Sequence, residues 1–169
     1  LAMPRIWQMI VEDRVPAYNV PSGILFDMHR DVAARRPGVL TKVGLGTFVD
    51  PEREGSAMNA KGAAAPIVQR VAFGGDTWLH FPNIAPDVCI LRATTADEHG
   101  NLSYEHEGAY LGGLDQAIAT RNNRGLVIAQ VKRITARGSL RPHDVRVPGH
   151  LIDLIVLDPP TFSNSKRMR

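Results

Sequence analysis

Two short turns early in the sequence combine residue types that suit the binding of an anion. The first is the run Asn19-Val-Pro21-Ser22-Gly23, which ends an extended stretch and opens a helical pattern. The N-terminal turn of a helix presents free backbone N–H groups and a partial positive charge. The turn therefore suits a phosphate, a carboxylate or a thioester oxygen. The same residues are also typical of a plain helix start, in which Ser22 caps the helix and Gly23 eases the turn.

The second turn follows a β-rich run and contains Gly44, Gly46 and Thr47. Two glycines after a strand allow a ligand to approach the backbone closely. The turn lacks the third glycine and the helix of a dinucleotide-binding fingerprint, and it lacks the lysine of a phosphate-binding loop. An ordinary glycine turn is therefore also consistent with it. The candidate substrate-binding residues are Asn19, Pro21, Ser22, Gly23, Gly44, Gly46 and Thr47.

Other reactive residue types form no recognisable catalytic or metal-binding pattern. The six histidines are scattered, and His99 lies in the run from Asp97 to Asn101, whose composition favours a structural turn over a metal site. Glu105 and Glu107 are two residues apart and share one face if the strand continues through them, and they are interpreted as surface charge. No serine has the flanking pattern of a nucleophile elbow. The sequence therefore predicts no catalytic residue and no metal ligand.

Composition narrows the classes of partner and compartment. The 20 basic and 17 acidic residues are interleaved and 6% of residues are aromatic, which disfavours a nucleic-acid-binding surface. The single cysteine, Cys89, lies in an apolar run and is expected to be a small buried residue, so no disulfide forms within the chain. No apolar run is long enough to span a bilayer, and none has the order of a signal peptide. The cytoplasm is therefore the expected compartment, with no membrane partner.

The spacing of apolar residues predicts alternating helices and strands. Helical patterns cover residues 4–14, 24–36 and 109–121, and extended runs cover residues 16–20, 39–43, 68–71, 77–81, 88–93, 102–104, 126–131 and 151–157. Gly74 and Gly75 separate two of these runs and predict a β-hairpin. The apolar runs 126–131 and 151–157 are typical of strands covered on both faces. The sequence therefore predicts an α/β fold with a mixed, mostly parallel sheet and an inserted β-hairpin.

Several separated motifs, taken together and in one order, resemble a known family. They are Ala17-Tyr-Asn-Val-Pro-Ser-Gly23, His29-Arg-Asp-Val-Ala-Ala34, Pro37-Gly-Val-Leu-Thr41, Val43-Gly-Leu-Gly-Thr-Phe-Val-Asp-Pro51, Thr95-Ala-Asp-Glu-His-Gly-Asn-Leu102, Ile128-Ala-Gln-Val131 and Val145-Arg-Val-Pro-Gly149. Over about residues 2–158 the sequence resembles the acetate/propionate CoA-transferases of family I.

The resemblance implies a three-layer α/β/α subdomain that is one of two similar halves, with acyl-CoA bound between them. It puts the turns from Asn19 to Gly23 and from Gly44 to Thr47 nearest the acyl-CoA pocket. Coenzyme A is then a substrate, and no cofactor is tightly bound. The implied partners are acyl-CoA, short-chain carboxylates and a complementary half that carries the nucleophile, in a homo-oligomer.

In the family, a glutamate of the second half attacks the thioester, and a glutamyl-CoA thioester then passes its CoA to an acceptor carboxylate. This sequence matches neither that half nor the family's upstream glycine-rich segment, so no glutamate here is assigned that role and the isolated chain is expected to be inactive. It begins at Leu1 on an amphipathic stretch and is expected to be an internal fragment of the first half. Ser22 stands where the family usually has glutamine, which leaves the backbone of the turn to make the contact.

The end of the sequence departs from this family. From Leu154 to Met168 it resembles the Asp-Pro-Pro-Phe segment of S-adenosylmethionine-dependent RNA methyltransferases. The predicted organisation is therefore a CoA-transferase-like subdomain at 1–158 and a divergent or foreign basic tail at 159–169. Two other functions stay open: a non-catalytic CoA-binding or assembly module, and an RNA methyltransferase fragment.

Overall fold

The computed structural model describes residues 3–157 as a mixed α/β protein. The chain divides into two compact units, Leu1–Ile84 and Ala85–Arg169. The helices are α1 (Pro4–Val11), α2 (Ser22–Ala33), α3 (Ala60–Ala64) and α4 (Gly113–Asn122), with short 3-10 helices at Pro142–Asp144 and Gly149–Leu151. The strands are β1 (Gly38–Thr41), β2 (Gln69–Phe73), β3 (Asp76–Pro82), β4 (Val88–Asp97), β5 (Leu102–Ser103), β6 (Leu126–Thr135), β7 (Val145–Val147) and β8 (Leu154–Leu157).

The first unit is built on a three-stranded antiparallel sheet in the order β1-β3-β2. The predicted β-hairpin is present as β2 and β3, joined by Gly74 and Gly75 with φ of 63° and 83°. Such left-handed backbone at both central residues matches the twist of a tight hairpin. Helix α2 turns Ile24 and Met28 inward, where they pack in one buried cluster with Leu79 of β3.

The second unit is built on a five-stranded sheet in the order β7-β5-β4-β6-β8. The pairs β4–β6 and β6–β8 are parallel, while β4–β5 and β5–β7 are antiparallel. Leu91 of β4, Val127 of β6 and Ala117 of α4 belong to one buried cluster. Helix α4, which lies between β5 and β6 in the chain, therefore covers one face of this sheet.

The other face of the parallel strands is apolar and exposed. Side chains of paired residues lie on the same face of a sheet, and the register pairs Val88 with Leu126 and Ile128 with both Ile90 and Leu154. Ile90 is 70% exposed, and Val88, Leu126 and Leu154 are 53%, 43% and 49% exposed. These residues form an aliphatic surface that spans three neighbouring strands, which we call the bare sheet face.

The predicted α/β fold, with a mixed sheet and a hairpin, is confirmed, but the strands are divided differently. The hairpin pairs with β1 in a separate antiparallel sheet instead of joining the parallel strands. The predicted strand at 16–20 forms only one bridge, between Tyr18 and Ala57. Pro16 and Pro21 bound this run, and proline has no N–H group to donate to a ladder. The short elements α3 and β7 were not predicted.

Within residues 3–157, no helix combines the length and the apolar character needed to cross a bilayer. The segment proposed as a foreign tail, 159–169, and Asp158 before it lie outside the described residues.

Candidate functional site

The first candidate turn forms the start of α2. Pro21 is the N-cap residue, with φ −54° and ψ 132°, and its carbonyl accepts N–H bonds from Ile24 at 3.0 Å and Leu25 at 3.2 Å. Ser22 is already the first helical residue, and no side chain of residues 3–157 caps this end. The interpretation of Ser22 as a capping residue is therefore wrong. Ser22 and Gly23 are both exposed, and the first N–H groups of a helix have no partner within it.

The segment that leads into this turn is held against residues 56–58. The Asn19 N–H donates to the Ser56 carbonyl at 2.8 Å, and the Met58 N–H donates to the Ala17 carbonyl at 2.9 Å. The Asn59 amide accepts from the Ala17 N–H at 3.2 Å and donates to the Val15 carbonyl at 2.7 Å. These contacts fix the chain direction just before Pro21.

The second candidate turn needs glycine at Gly44, where φ is 98°. A Cβ at this position would lie 3.2 Å from the Val49 side chain, whereas Gly46, with φ 74°, faces open space. The Thr47 hydroxyl donates to the Gly44 carbonyl at 2.7 Å and accepts from the Val49 N–H at 3.3 Å. Thr47 therefore holds the turn in shape, and the accessible backbone lies at Gly46.

The side chain of Asp50 holds the second turn through hydrogen bonds to its backbone. Its side chain is fully buried, and its carboxylate accepts from the Gly46 N–H at 2.7 Å and from the Glu52 N–H at 3.1 Å. Arg70 of β2 donates from Nε and Nη2 to the two carboxylate oxygens, each at 2.7 Å. Hydrogen bonds from Arg70 hold the pKa of Asp50 well below its usual range, although burial opposes this shift.

Ser56 joins the two candidate turns. Its N–H donates to the Phe48 carbonyl at 3.0 Å, and its carbonyl accepts the Asn19 N–H. Val20 and Leu45 also pack against the same buried cluster of the first unit. The structure therefore brings together the candidate residues from Asn19 to Gly23 and from Gly44 to Thr47 within one unit. Their contact with a ligand stays a prediction.

Comparison with known proteins decides the family. The family model described as Coenzyme A transferase matches residues 3–158, which include both turns and both sheets. The chain belongs to the coenzyme A transferase family. The CoA-transferase assignment therefore holds over the RNA methyltransferase alternative.

Two relatives show how far the likeness to known CoA-transferases extends. Caffeate CoA-transferase of Acetobacterium woodii is 41% identical over 149 residues, which cover 88% of this chain and 28% of the relative. The acetate CoA-transferase YdiF of Escherichia coli K12 is 38% identical over 156 residues, or 92% of this chain and 29% of the relative. The chain thus spans less than a third of the length of these relatives.

Solved structures agree with this assignment. The acyl-CoA transferase YdiF apoenzyme of Escherichia coli O157:H7 has a TM-score of 0.87 and 38% identity over 92% of this chain and 30% of that one. Glutaconate coenzyme A-transferase of Acidaminococcus fermentans has a TM-score of 0.70 at 17% identity, covering 92% of this chain and half of that one. The second likeness shows a shared fold only.

In this member of the family, the predicted structural turn at Asp97 to Asn101 is confirmed. The buried Asp97 carboxylate accepts from the N–H groups of His99 and Asn101, each at 2.9 Å. Burial raises the pKa of Asp97, but hydrogen bonds from Asn101 and His99 outweigh it and lower the pKa. The Asn101 side chain then accepts the Gly149 N–H at 2.9 Å. In the part of the chain that the structure describes, no group of three or more His, Cys, Asp or Glu side chains is arranged to hold a metal ion.

Sequence reasoning missed Asp50, Arg70 and Ser56. Asp50 is the second-last residue of a motif used for the family resemblance, but its partner Arg70 lies twenty residues further along the chain. No periodicity relates two such positions, and the pairing of β3 with both β1 and β2 places Arg70 in the same sheet as the strand that leads into the turn.

Proposed function

We propose that this chain supplies acyl-CoA-binding turns to a CoA-transferase that moves CoA between a short-chain acyl-CoA and a carboxylic acid. The observation that carries the proposal is the connection of the two turns through Ser56 in a chain that matches the family over residues 3–158. YdiF of Escherichia coli O157:H7 also has a structure as a thioester complex with CoA, in a protein 38% identical to this chain.

The proposed reaction passes through a glutamyl-CoA thioester, with the glutamate supplied by polypeptide outside these 169 residues. The glutamate carboxylate attacks the thioester carbonyl, and CoA leaves as a thiolate, which produces an acyl-glutamyl anhydride. The thiolate then attacks the glutamyl carbonyl and releases the first carboxylate. The acceptor carboxylate takes over the glutamyl thioester by the same two steps in reverse, which restores the free glutamate.

The role of this chain in that reaction is to bind and orient the acyl-CoA. Ser22 and Gly23 are exposed residues, and the N–H groups of a first helical turn suit a developing oxyanion or a carboxylate, because a helix start offers both donors and a favourable dipole. The open space above Gly46 lets the pantetheine or acyl part approach the backbone. Asn19, Pro21, Gly44 and Thr47 shape these two turns.

The bare sheet face supports a complementary half as partner. Parallel sheets are ordinarily covered on both faces, and α4 covers only one here. Among the relatives, acetate CoA-transferase subunit alpha of Escherichia coli K12 is itself named as a subunit and is 25% identical over 154 residues. We infer that residues 1–158 form one subdomain whose second helical layer and nucleophile come from that half, in a homo-oligomer in the cytoplasm.

Calorimetric titration of the chain with acetyl-CoA tests the proposal. We expect measurable binding that Gly23→Ala weakens by about tenfold, because an added methyl group fills the approach to the helix start. In the part of the chain that the structure describes, a Cβ at Gly23 meets no atom within 4 Å, and alanine favours a helix over glycine, so this variant is expected to fold at least as well as the parent. Gly108→Ala, also in open space, is the matched control.

Two results would contradict the proposal. Acetyl-CoA that does not bind the parent chain would remove the assigned pocket. Exchange of CoA between acetyl-CoA and propionate by the isolated chain would show that a nucleophile lies within it, against the proposed division between two halves.

A further inference from the structure

We propose that Arg70 is a positioning residue for acyl-CoA binding, which acts through Asp50 on the turn at Gly46. The inference rests on the proposed function, because it assigns a task to the turn that we expect to contact acyl-CoA. Arg70 itself belongs to the hairpin strand β2, on the edge of its sheet, and is not one of the candidate binding residues.

The contact between Arg70 and Asp50 is strong and specific in geometry. Two guanidinium nitrogens face two carboxylate oxygens at 2.7 Å each, which is the paired arrangement that only arginine provides. The Asp50 side chain is fully buried, while 31% of the Arg70 side chain is exposed. A buried carboxylate without a cation would be strongly disfavoured, so Arg70 keeps Asp50 ionised where it stands.

Asp50 binds backbone N–H groups that lie before and after it in the sequence. Its carboxylate takes the N–H groups of Gly46 and Glu52. Its carbonyl takes the N–H groups of Arg53 at 2.8 Å and Gly55 at 3.1 Å. The loop from Gly46 to Gly55 is therefore folded around one residue.

The residue that follows this loop contacts the segment that leads into the first turn. Ser56 follows directly, and its carbonyl accepts the Asn19 N–H at 2.8 Å. A displacement of Asp50 would consequently move Gly46 and loosen the support of Asn19 together. Both acyl-CoA turns depend on the position of one carboxylate, and that carboxylate depends on Arg70.

Three variants of the full chain separate positioning from plain stabilisation. Arg70→Met leaves the Asp50 charge unpaired. The double variant Asp50→Asn with Arg70→Met removes both charges and so avoids an isolated buried carboxylate. Arg53→Met removes an exposed arginine of the same loop whose side chain makes no ion pair within the described residues, and it controls for the loss of positive charge near an anionic ligand.

Each variant is titrated with acetyl-CoA by calorimetry, and its unfolding is followed in urea. We expect Arg70→Met to unfold at lower urea and to bind on the order of tenfold more weakly. We expect the double variant to regain most of the stability but not the affinity, because a neutral amide cannot accept both the Gly46 and Glu52 N–H groups as the carboxylate does. Arg53→Met should stay within about twofold of the parent in affinity.

The outcomes distinguish the positioning role of Arg70 from the proposed acyl-CoA binding on which that role rests. A parent chain that binds no acetyl-CoA overturns both. Binding by the parent together with unchanged affinity in Arg70→Met overturns the positioning role alone. So does an affinity that returns with the stability in the double variant, or an equal loss in Arg53→Met. If Arg70→Met does not fold, the double variant still decides between the two roles.

Discussion

Glu105 and Glu107 stand two residues apart and bind two consecutive threonines of the same strand. The Glu107 carboxylate accepts from the Thr94 hydroxyl at 3.1 Å, and the Glu105 carboxylate accepts from the Thr95 hydroxyl. Because consecutive residues of a strand point to opposite faces, the two glutamates serve opposite sides of the sheet. The two glutamates do not share one face of a strand, because β5 ends at Ser103 and the chain turns at this point.

Low pH should lower the stability of the second unit, because Glu105 then takes up a proton. Burial raises the pKa of Glu105, but hydrogen bonds from Ser103 and Thr95 and the contact with Arg133 outweigh it and lower the pKa from 4.5 to about 2. A folded pKa below the unfolded value stabilises the protein above pH 4.5, and this contribution is lost as the pH falls toward 2. With 36% of the side chain exposed, we expect roughly 1 kcal/mol.

Urea unfolding at about pH 6 and about pH 3 measures this contribution. Glu105→Gln should lower stability at the higher pH and reduce the difference between the two conditions. Glu54→Gln, which changes an exposed glutamate of the first unit, is the control and should leave the difference unchanged. An identical pH dependence in parent and Glu105→Gln would rule out Glu105 as the titrating group.

Ser56→Gly should stabilise the chain. Ser56 has φ 68°, a left-handed conformation that strains a residue with a Cβ, and its buried hydroxyl has no hydrogen-bond partner among the described residues. Ser56→Ala removes the same hydroxyl but keeps the strain. We expect the glycine variant to exceed the alanine variant by about 1 kcal/mol in the free energy of unfolding, as measured in urea. Equal stabilities would show that the backbone here is not strained.

Local patterns predicted the elements that depend on neighbours in sequence. The helical spacing of Ile24 and Met28 gave α2, and Gly74 with Gly75 gave the hairpin. The division into two sheets was not predictable, because strand partners are chosen by contacts between distant segments. Strand β7 has three residues, too few to show a period.

The sequence predicted which backbone of the candidate site is accessible, but not the contacts that hold this backbone in place. Glycines and a helix start are visible in the sequence because each imposes a local backbone requirement. The support from Arg70 and Ser56 depends on which segments meet in the folded unit. Ser22 was expected to cap α2, but Pro21 occupies the capping position with a ring that fixes φ near −65°, and this moves Ser22 into the helix.

Gly149→Ala should destabilise the second unit. A Cβ at Gly149 would lie 2.0 Å from the His99 carbonyl oxygen, inside the turn that Asp97 organises. The Cβ is fixed by the Gly149 backbone and the oxygen belongs to the His99 backbone, so no side-chain movement can relieve the clash. The backbone at Gly149 and the turn at His99 must therefore move apart. We expect a loss of about 1–3 kcal/mol in urea unfolding. Gly108→Ala, with no atom within 4 Å of the added carbon, is the control, and an equal stability of the two variants would contradict the close packing at His99.

The bare sheet face should make the isolated chain self-associate. An aliphatic surface spanning three strands favours contact with another apolar surface, so we expect the apparent mass in sedimentation to rise with concentration. Ile90→Lys should shift the chain toward monomer without unfolding it, because 70% of Ile90 is already exposed. Val71→Lys, on the exposed strand β2 of the other unit, is the matched control. A parent chain that stays monomeric at all concentrations, or a control that dissociates it equally well, would refute the role of this face.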